Sequence, residues 1–437
     1  MIKLQEKIVH GEAVVCVIGL GYVGLPLLTA FVRDQFRCIG LDINEKRLDE
    51  IREGTVSVVS KAAATVLQDA AADDRLSLTS DPTVCSKADV CIICVPTPTV
   101  NRRPDISHVL SVVDNALVHC KPKTLIVLES TVAPTTTRKL IAEQLCAKTN
   151  KQLDHDFFFA FSPEREDPGN KTFALWNTPK LVGGVSAMGT ELALSLYSRI
   201  CDKVHVCSSS EHAELAKLFE NTFRAVNIAL ANELKDISTS MGIDPFDVLK
   251  ACDTKPFGFM KFTPGPGVGG ECIPDDPYYL LEHARSLGVH LPVIETSMRA
   301  NDIEPFELVT RVLAALAAKK ERTHKLHVVG LAYKPGVGDL RNSPALEIFR
   351  RFLDLGLEVT YEDPYVPQID HDGETHFSLA REDADVVYGE ADIVLVLTNH
   401  TDLDFGPSFY ENIEKRANLI GDARGVYGMS NPKVLRL

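Results

Sequence analysis

The chain has 437 residues, 45% of them hydrophobic and 24% charged, which is the balance of a soluble globular protein with two or three domains. That excludes a disordered, collagen-like or small disulfide-stapled chain. Acidic residues outnumber basic ones by 60 to 46, for a net charge of −14, and there is no long Lys/Arg run. Bulk attraction to nucleic acid or anionic lipid is therefore not expected, although a local basic pocket for a phosphorylated small molecule is compatible with the charge.

Met1 to His10 is mixed and charged, unlike a signal peptide. Ala13 to Phe31 is almost wholly apolar, but Gly19, Gly21, Gly24 and Pro26 interrupt it, so it reads as strand, turn and helix rather than a membrane span. Val14–Ile18 is a buried-type strand, Gly24–Arg33 a helix, Arg37–Leu41 a strand ending at Asp42, and Asn44–Arg52 a helix. Asp89–Val95, Thr124–Leu128, Phe157–Phe161 and Lys180–Val182 continue the strands. This alternation predicts a parallel α/β sheet. Glu211 to Met241 then reads as one long helix. A Gly/Pro-rich stretch, Thr263 to Gly270, breaks the next helical region, and helix resumes at Tyr278–Ser286 and Glu295–Lys319. The alternation returns with strands at Leu326–Leu331, Leu357–Tyr361, Ile393–Thr398 and Asn418–Ile420, and a helix at Ser343–Asp354 followed by a C-cap glycine, Gly356.

The expected fold is thus α/β, with two Rossmann-like doubly wound domains joined by a helical domain containing a long helix. The expected domains are 1–208, 209–318 and 319–437, and the two α/β ends are expected to share an architecture. Eleven cysteines, scattered without a framework, indicate a reducing, cytoplasmic compartment. Cys91 and Cys94 lie three apart on a strand, point to opposite faces, and read as core.

Gly19-Leu20-Gly21-Tyr22-Val23-Gly24 follows a strand and opens a helix, as a dinucleotide-binding turn requires. Gly19 allows the tight turn, Gly21 the approach of a pyrophosphate, and Gly24 close packing of helix on strand. Asp42 ends the second strand, where its carboxylate can accept from ribose hydroxyls and repel a 2′-phosphate, which favours NAD. Glu129-Ser130-Thr131-Val132 closes another strand at the sheet edge where ligands bind; its Ser-Thr pair also suits a helix N-cap. Ser162 to Pro168 packs three acids and Arg165 into a turn, which equally describes a solvated loop. Lys217 and Asn221 share one face of the long helix. Held in a cleft, Lys217 can stabilise an oxyanion; on a surface it snorkels to water.

Cys272 stands between a glycine-rich loop and a helix start, where a thiol is drawn toward its nucleophilic thiolate, and Asp276 follows four residues later. Gly330-Leu331-Ala332-Tyr333-Lys334 through Asp339, Arg341 and Ser343 carries a strand into a loop with two cations and a helix capped by Ser343, reading as a second anion site or a surface loop. Zinc and serine-hydrolase signatures are absent, and no metal is expected.

Taken in order, these motifs resemble the UDP-glucose/GDP-mannose dehydrogenase family over essentially the whole chain. They are Gly19 to Pro26, Glu129 to Val132, Ser162 to Asn170, Ala216 to Asn221, Gly269-Gly270-Glu271-Cys272-Ile273-Pro274-Asp275-Asp276-Pro277-Tyr278-Tyr279-Leu280, and Gly330 to Arg341. The resemblance implies oxidation of C6 of a nucleotide sugar from alcohol to carboxylate with two NAD. Cys272 is similar to the family's nucleophile, Lys217 and Asn221 to its oxyanion residues, and Asp276 to a carboxylate that assists water. Glu164 is similar to a glutamate near the reacting carbon, and Thr131 to a threonine that orients water. Cofactor contacts are implied for Gly19, Gly21, Tyr22, Val23, Gly24, Asp42, Arg47, Pro96, Thr97, Ser130, Thr131 and Arg341. Substrate contacts are implied for Glu164, Arg165, Glu166, Lys217, Asn221, Lys255, Phe262, Gly269 and Lys334. A UDP-sugar substrate and a homodimer or higher homo-oligomer are implied as partners.

The Ser-Pro-Glu-Arg-Glu-Asp and Cys-Ile-Pro motifs resemble the branch acting on UDP-N-acetylhexosamines, with UDP-N-acetylglucosamine favoured over UDP-glucose. Glu271 stands where that branch commonly has histidine, and Asp275 where it has a small apolar residue. Two acids beside Cys272 raise a thiol's pKa unless a cation or substrate group answers them. A two-electron hydroxyacid or 6-phosphogluconate-type dehydrogenase and a non-catalytic sugar-nucleotide sensor are the alternative readings. Neither needs Cys272.

Overall fold

The computed structural model describes residues 2–56, 59–166, 170, 172–319, 325–402 and 405–437. Asp167, Pro168 and Gly169 of the Ser162 to Asn170 motif lie outside the described residues. Two compact units form, Met1–Glu220 with Tyr278–Val289, and Asn221–Pro277 with His290–Leu437. The division falls inside the long helix Ser210–Ser240.

The first unit holds an eight-stranded sheet built from β1 (Val14–Ile18), β2 (Arg37–Leu41), β3 (Leu76–Thr79), β4 (Val90–Ile93), β5 (Thr124–Leu128), β6 (Phe157–Phe161), β7 (Lys180–Gly184) and β8 (Val204–Val206). Their order is β8-β7-β6-β5-β4-β1-β2-β3. The winding reverses between β1 and β4, the place where open α/β sheets bind ligands at the carboxyl ends of their strands. All pairs are parallel except β6 with β7. This corrects the all-parallel expectation. The described residues of the connection between β6 and β7 are irregular, with no crossover helix among them, and β7 runs in the opposite direction. Strand β3 was also not foreseen; with Ser77 and Thr79 it lacks a continuous apolar run.

The two faces of this sheet are separate cores, as a period of two requires. Val15, Val17, Ile92 and Cys94 pack on one face with Leu25, Leu28 and Phe31 of the helix Gly24–Arg33. Cys16, Ile18, Cys91 and Ile93 pack on the other with Val109 and Val113. Cys91 and Cys94 are therefore core residues on opposite faces, as their spacing predicts.

In the second unit, β9 (Lys325–Val329), β10 (Glu358–Glu362), β11 (Ile393–Val396), β12 (Ile420–Asp422) and β13 (Val434–Arg436) form a parallel sheet in the order β10-β9-β11-β12-β13. A hairpin at Gln368–His371 and Glu374–Phe377 was not foreseen, because its strands are polar and exposed. The helix Pro344–Asp354 has its N-terminus capped by Ser343, and Gly356 beyond its end takes φ +75°. The stretch between the two sheets is helical at Ser210–Ser240, Pro245–Asp253, Asp276–Ser286 and Pro292–Ala317. No helix among the described residues is long and apolar enough to cross a membrane.

Candidate active site

The glycine turn after β1 shows why each glycine stands where it does. Gly19 takes φ +91°, and a Cβ there would lie 2.8 Å from the Cys94 carbonyl oxygen. A Cβ on Gly24 would lie 1.8 Å from the Gly19 carbonyl oxygen. A Cβ on Gly21 would meet nothing within 4 Å, so that glycine is not required by internal packing. Its open side lies next to the first turn of the helix, where amide N–H groups face outward, and this cradle fits a pyrophosphate. Asp42 anchors the turn: Oδ2 accepts from Leu20 N at 2.7 Å and Oδ1 from Asn44 N at 2.9 Å. Each oxygen keeps a lone pair for a ribose hydroxyl. Asn44 caps the next helix by accepting from Arg47 N. The Arg47 guanidinium lies 3.8 Å from Glu50, and Tyr22 is half-exposed. The residues present fit NAD.

Ser130 donates to the Val95 carbonyl at 2.7 Å and so fixes the loop carrying Pro96 and Thr97. Thr97 in turn accepts from the Tyr279 hydroxyl at 3.0 Å. Thr131, next in the chain, is half-buried. Beneath this edge lies a buried group that sequence reasoning did not find. Glu129 accepts from Lys180 at 2.7 Å and from the Tyr197 hydroxyl at 2.5 Å. Burial raises the Glu129 carboxyl, and Lys180 draws it back. The available signal was a lone acid closing an apolar strand and a lone lysine opening another.

Lys217 does not snorkel. It is 5% exposed and donates to the Glu164 carbonyl at 2.7 Å, with the Glu164 carboxylate 3.6 Å away. The carboxylate of Glu164 also accepts from Glu166 N. Burial, reinforced by the Glu164 charge, pushes the Glu166 carboxyl up. Arg165 braces the loop, gripping Glu220 through Nε at 3.1 Å and Nη2 at 2.7 Å while Nη1 donates to the Pro179 carbonyl. The Ser162 to Glu166 segment is therefore a braced segment rather than a solvated loop.

The second unit brings another set together. Asn221 Nδ2 donates to Asp276 Oδ2 at 2.6 Å, and both residues are buried. Asp276 N donates to the Cys272 carbonyl at 2.9 Å, so the turn carrying the thiol is tied to the helix start that carries the acid. Preceding this turn, Gly270 takes φ +85°, donates its N–H to the Arg341 carbonyl at 2.9 Å, and accepts from Asn342 Nδ2 at 3.0 Å. A Cβ on Gly269 would lie 2.7 Å from Tyr333 Cβ. The Cys272 loop thus lies against the loop after β9.

Arg341 donates from Nη1 to Glu271 and from Nε and Nη2 to Asp339 at 3.0 and 2.6 Å. This is the cation that answers Glu271. Lys334 lies over the Tyr333 ring, 5.6 Å from its centroid. Lys255 is exposed, over Phe257 at 5.0 Å. Phe262 packs edge-on against Phe223 and lines an apolar hollow of about 530 Å³ with Leu230, Leu234 and Phe259.

Three models of known domains match in order along the chain. They are the NAD-binding domain of the UDP-glucose/GDP-mannose dehydrogenase family over residues 13–201, its central domain over 211–303 and its UDP-binding domain over 327–429. The chain belongs to this family. Its members include a UDP-N-acetyl-D-glucosamine 6-dehydrogenase of Pseudomonas aeruginosa, 37% identical over 358 residues, or 80% of this chain and 83% of that protein. A UDP-N-acetyl-D-mannosamine dehydrogenase of Methanococcus maripaludis is 31% identical over 88% of this chain and 86% of its own. The solved structure of a UDP-D-ManNAc dehydrogenase from Pyrococcus horikoshii superposes with a TM-score of 0.84 at 31% identity, covering 95% of this chain and 96% of that one. This family member is accordingly an NAD-dependent UDP-sugar dehydrogenase.

Proposed function

We propose that the chain oxidises C6 of a UDP-N-acetylhexosamine to the carboxylate, with UDP-N-acetylglucosamine as first candidate. The observation that carries this reading is the Asn221–Asp276 hydrogen bond joined through the Asp276 amide to the Cys272 turn. It gives a thiol an amide donor and a carboxylate as neighbours in one small region. Simple alcohol oxidation has no use for a thiol, whereas covalent capture of the aldehyde holds it in place for a second oxidation.

NAD, when bound, takes up one hydride in each of two oxidations. Gly19, Gly21, Gly24 and Asp42 would hold it, with Tyr22, Val23, Arg47, Pro96, Thr97, Ser130, Thr131 and Arg341 as further contacts. Cys272 Sγ would add to the C6 aldehyde, giving a thiohemiacetal whose oxyanion Lys217 and Asn221 stabilise. The thioester left after the second oxidation is cleaved by water, with Asp276, Glu164 and Thr131 orienting that water and taking its proton. In balance, one alcohol, one water and two NAD⁺ give one carboxylate, two NADH and three protons. Arg165, Glu166, Lys255, Phe262, Gly269 and Lys334 would contact the sugar nucleotide. The proposed domains are 1–208 for NAD, 209–318 for the thiol loop and self-association, and 319–437 for the nucleotide. Leu230 and Ile237, each more than half exposed on the long helix, and the equally exposed Met241 just past its end support a homodimer.

The C2 epimer is the second reading for the sugar, because the relatives include a UDP-N-acetylmannosamine dehydrogenase. The test is NADH released per sugar over a panel of UDP- and GDP-sugars. Two NADH per UDP-N-acetylglucosamine is the expected result. One NADH would sink the thiol mechanism, and turnover of another sugar alone would replace the substrate.

A further inference from the structure

Four of the eleven cysteines cluster inside the first unit. The sulfurs of Cys16, Cys85 and Cys91 all lie within 4.8 Å of one another. Cys120 Sγ stands 3.6 Å from Cys91 Sγ, and Cys120 is also in hydrogen-bonding contact with Cys85. Each residue is at most 1% exposed. The four come from four separate places in the chain. Cys16 on β1 and Cys91 on β4 are cross-strand partners in register. Cys85 comes from the short helical turn Pro82–Lys87, and Cys120 directly follows the turn Leu117–His119. The sulfurs remain separate thiols, well beyond the S–S length of about 2.0 Å.

Their spacing has a chemical meaning. Four thiolates at about 2.3 Å from a tetrahedral cation stand about 3.8 Å from one another. The 3.6 Å Cys91–Cys120 pair fits that edge, and the 4.8 Å envelope of Cys16, Cys85 and Cys91 contains it. Cys16 and Cys91 sit on paired strands of the central sheet, which hold a coordination geometry better than loops do. The surrounding core, including Ile18, Ala88, Val113, Leu117 and Ile126, offers apolar walls. An all-sulfur set selects soft d¹⁰ cations over magnesium or calcium. Packing alone would be satisfied by valine or alanine at each of these positions; it is indifferent to sulfur.

We propose that Cys16, Cys85, Cys91 and Cys120 form a structural site for a thiophilic d¹⁰ cation, zinc(II) or copper(I), in the core of the NAD-binding unit. Binding replaces each ligating thiol proton by a metal–sulfur bond, and the protons leave to solvent with no change of oxidation state. The site lies on the sheet face opposite the helix Gly24–Arg33, away from the glycine turn, so it ties β1 and β4 to two turns and touches no reacting atom. Sequence spacing hides it, since positions 16, 85, 91 and 120 form no compact motif.

The test is elemental analysis of the purified full chain together with refolding of the same chain in cobalt(II) under reducing conditions. The expected result is about one metal per chain, or thiolate-to-cobalt charge transfer with tetrahedral d–d absorption on refolding. The element found separates zinc from copper. Cys85→Ala and Cys120→Ala are each expected to lower the metal content about tenfold. Cys94→Ala, on the opposite face, and Cys272→Ala are expected to keep it. The cobalt spectrum of the unaltered chain decides the matter even if a core variant fails to fold. Less than about a tenth of an equivalent in the isolated protein, with no cobalt–thiolate absorption after refolding, overturns the site. Full metal content in both ligand variants also overturns it.

Discussion

The two sheets open with the same turn, atom for atom, and then use it differently. Gly19 and Gly330 take φ +91° and +82°, and donate to the Leu41 and Glu362 carbonyls at 2.8 and 2.9 Å. Asp42 and Asp363 end the neighbouring strands. Their Oδ2 atoms accept from Leu20 N at 2.7 Å and Leu331 N at 2.8 Å, and their Oδ1 atoms from Asn44 N at 2.9 Å and Tyr365 N at 2.8 Å. The shared architecture expected from the alternation is present down to this detail.

The divergence lies in what surrounds the carboxylate. Asp42 is half-buried and takes only those two donors among the hydrogen bonds described. Asp363 is buried and also accepts from Ala332 N and His400 Nε2, both at 3.1 Å. Burial alone raises the Asp363 carboxyl, but the hydrogen bond and charge of His400 and the backbone donors outweigh it and hold it low. The helix after Gly19 begins at Gly24, so its amides stay beside the turn. After Gly330 the helix waits until Pro344, and the intervening loop carries Lys334, Asp339 and Arg341 against the Cys272 loop. One frame leaves its acid half-open beside a helix end; the other seals its acid and extends a charged loop. A turn's backbone thus does not dictate its ligand.

Breaking the sealed acid should have the largest effect. Asp363→Ala strands two buried N–H groups, a partly buried one and a histidine and should cost about 3–5 kcal/mol, read as a large fall in the denaturant midpoint. An unchanged midpoint would end the distinction between the two turns. Gly24→Ala should destabilise by about 3 kcal/mol, because its Cβ has backbone in the way. Gly21→Ala should leave the melting temperature alone yet raise the KM for NAD at least about tenfold, since only the ligand side is obstructed. Asp42→Ala should cost under about 2 kcal/mol of stability and narrow the preference for NAD over NADP, measured as the ratio of kcat/KM.

The smallest effect concerns pH in the first unit. Glu214 accepts from Thr135 N at 2.7 Å and Thr137 N at 2.8 Å, but burial outweighs these bonds and pushes its carboxyl up to about 7. The folded state then holds this proton when the unfolded chain has released it. The group's contribution to stability therefore falls as pH rises from the ordinary glutamate range to about 7 and levels off above. Glu214→Gln should flatten the difference between urea midpoints at about pH 5.5 and about pH 7.5. Glu211 runs the other way: burial acts upward, but the Arg138 hydrogen bond brings it to about 2, so its contribution is lost only as acid deepens below the ordinary range.

Much of the fold was legible because its signals are local. The helix Gly24–Arg33 and the strands Val14–Ile18, Arg37–Leu41 and Phe157–Phe161 begin and end where apolar runs meet glycine, acid or turn residues. The reversal at β7 was not legible, because strand direction depends on a connection rather than on the strand's own composition. The polar hairpin after β10 failed for the same kind of reason: its pairing is backbone-driven and leaves no hydrophobic alternation.

For the site, residue types and their neighbours in sequence were enough to single out the glycine turn, Asp42, Lys217, Asn221, Cys272 and Asp276. They could not say that Lys217 turns onto Glu164, that Asn221 and Asp276 share a hydrogen bond across 55 positions, or that Arg341 answers Glu271. Nor could they gather Cys16, Cys85, Cys91 and Cys120 into one cluster. The sequence by itself determined the alternating α/β plan and the chemistry on offer, because turns, caps and periodicity act over a few residues. Only the tertiary structure decided the partners, because partners follow from strand order and register, which bring distant positions to a common edge.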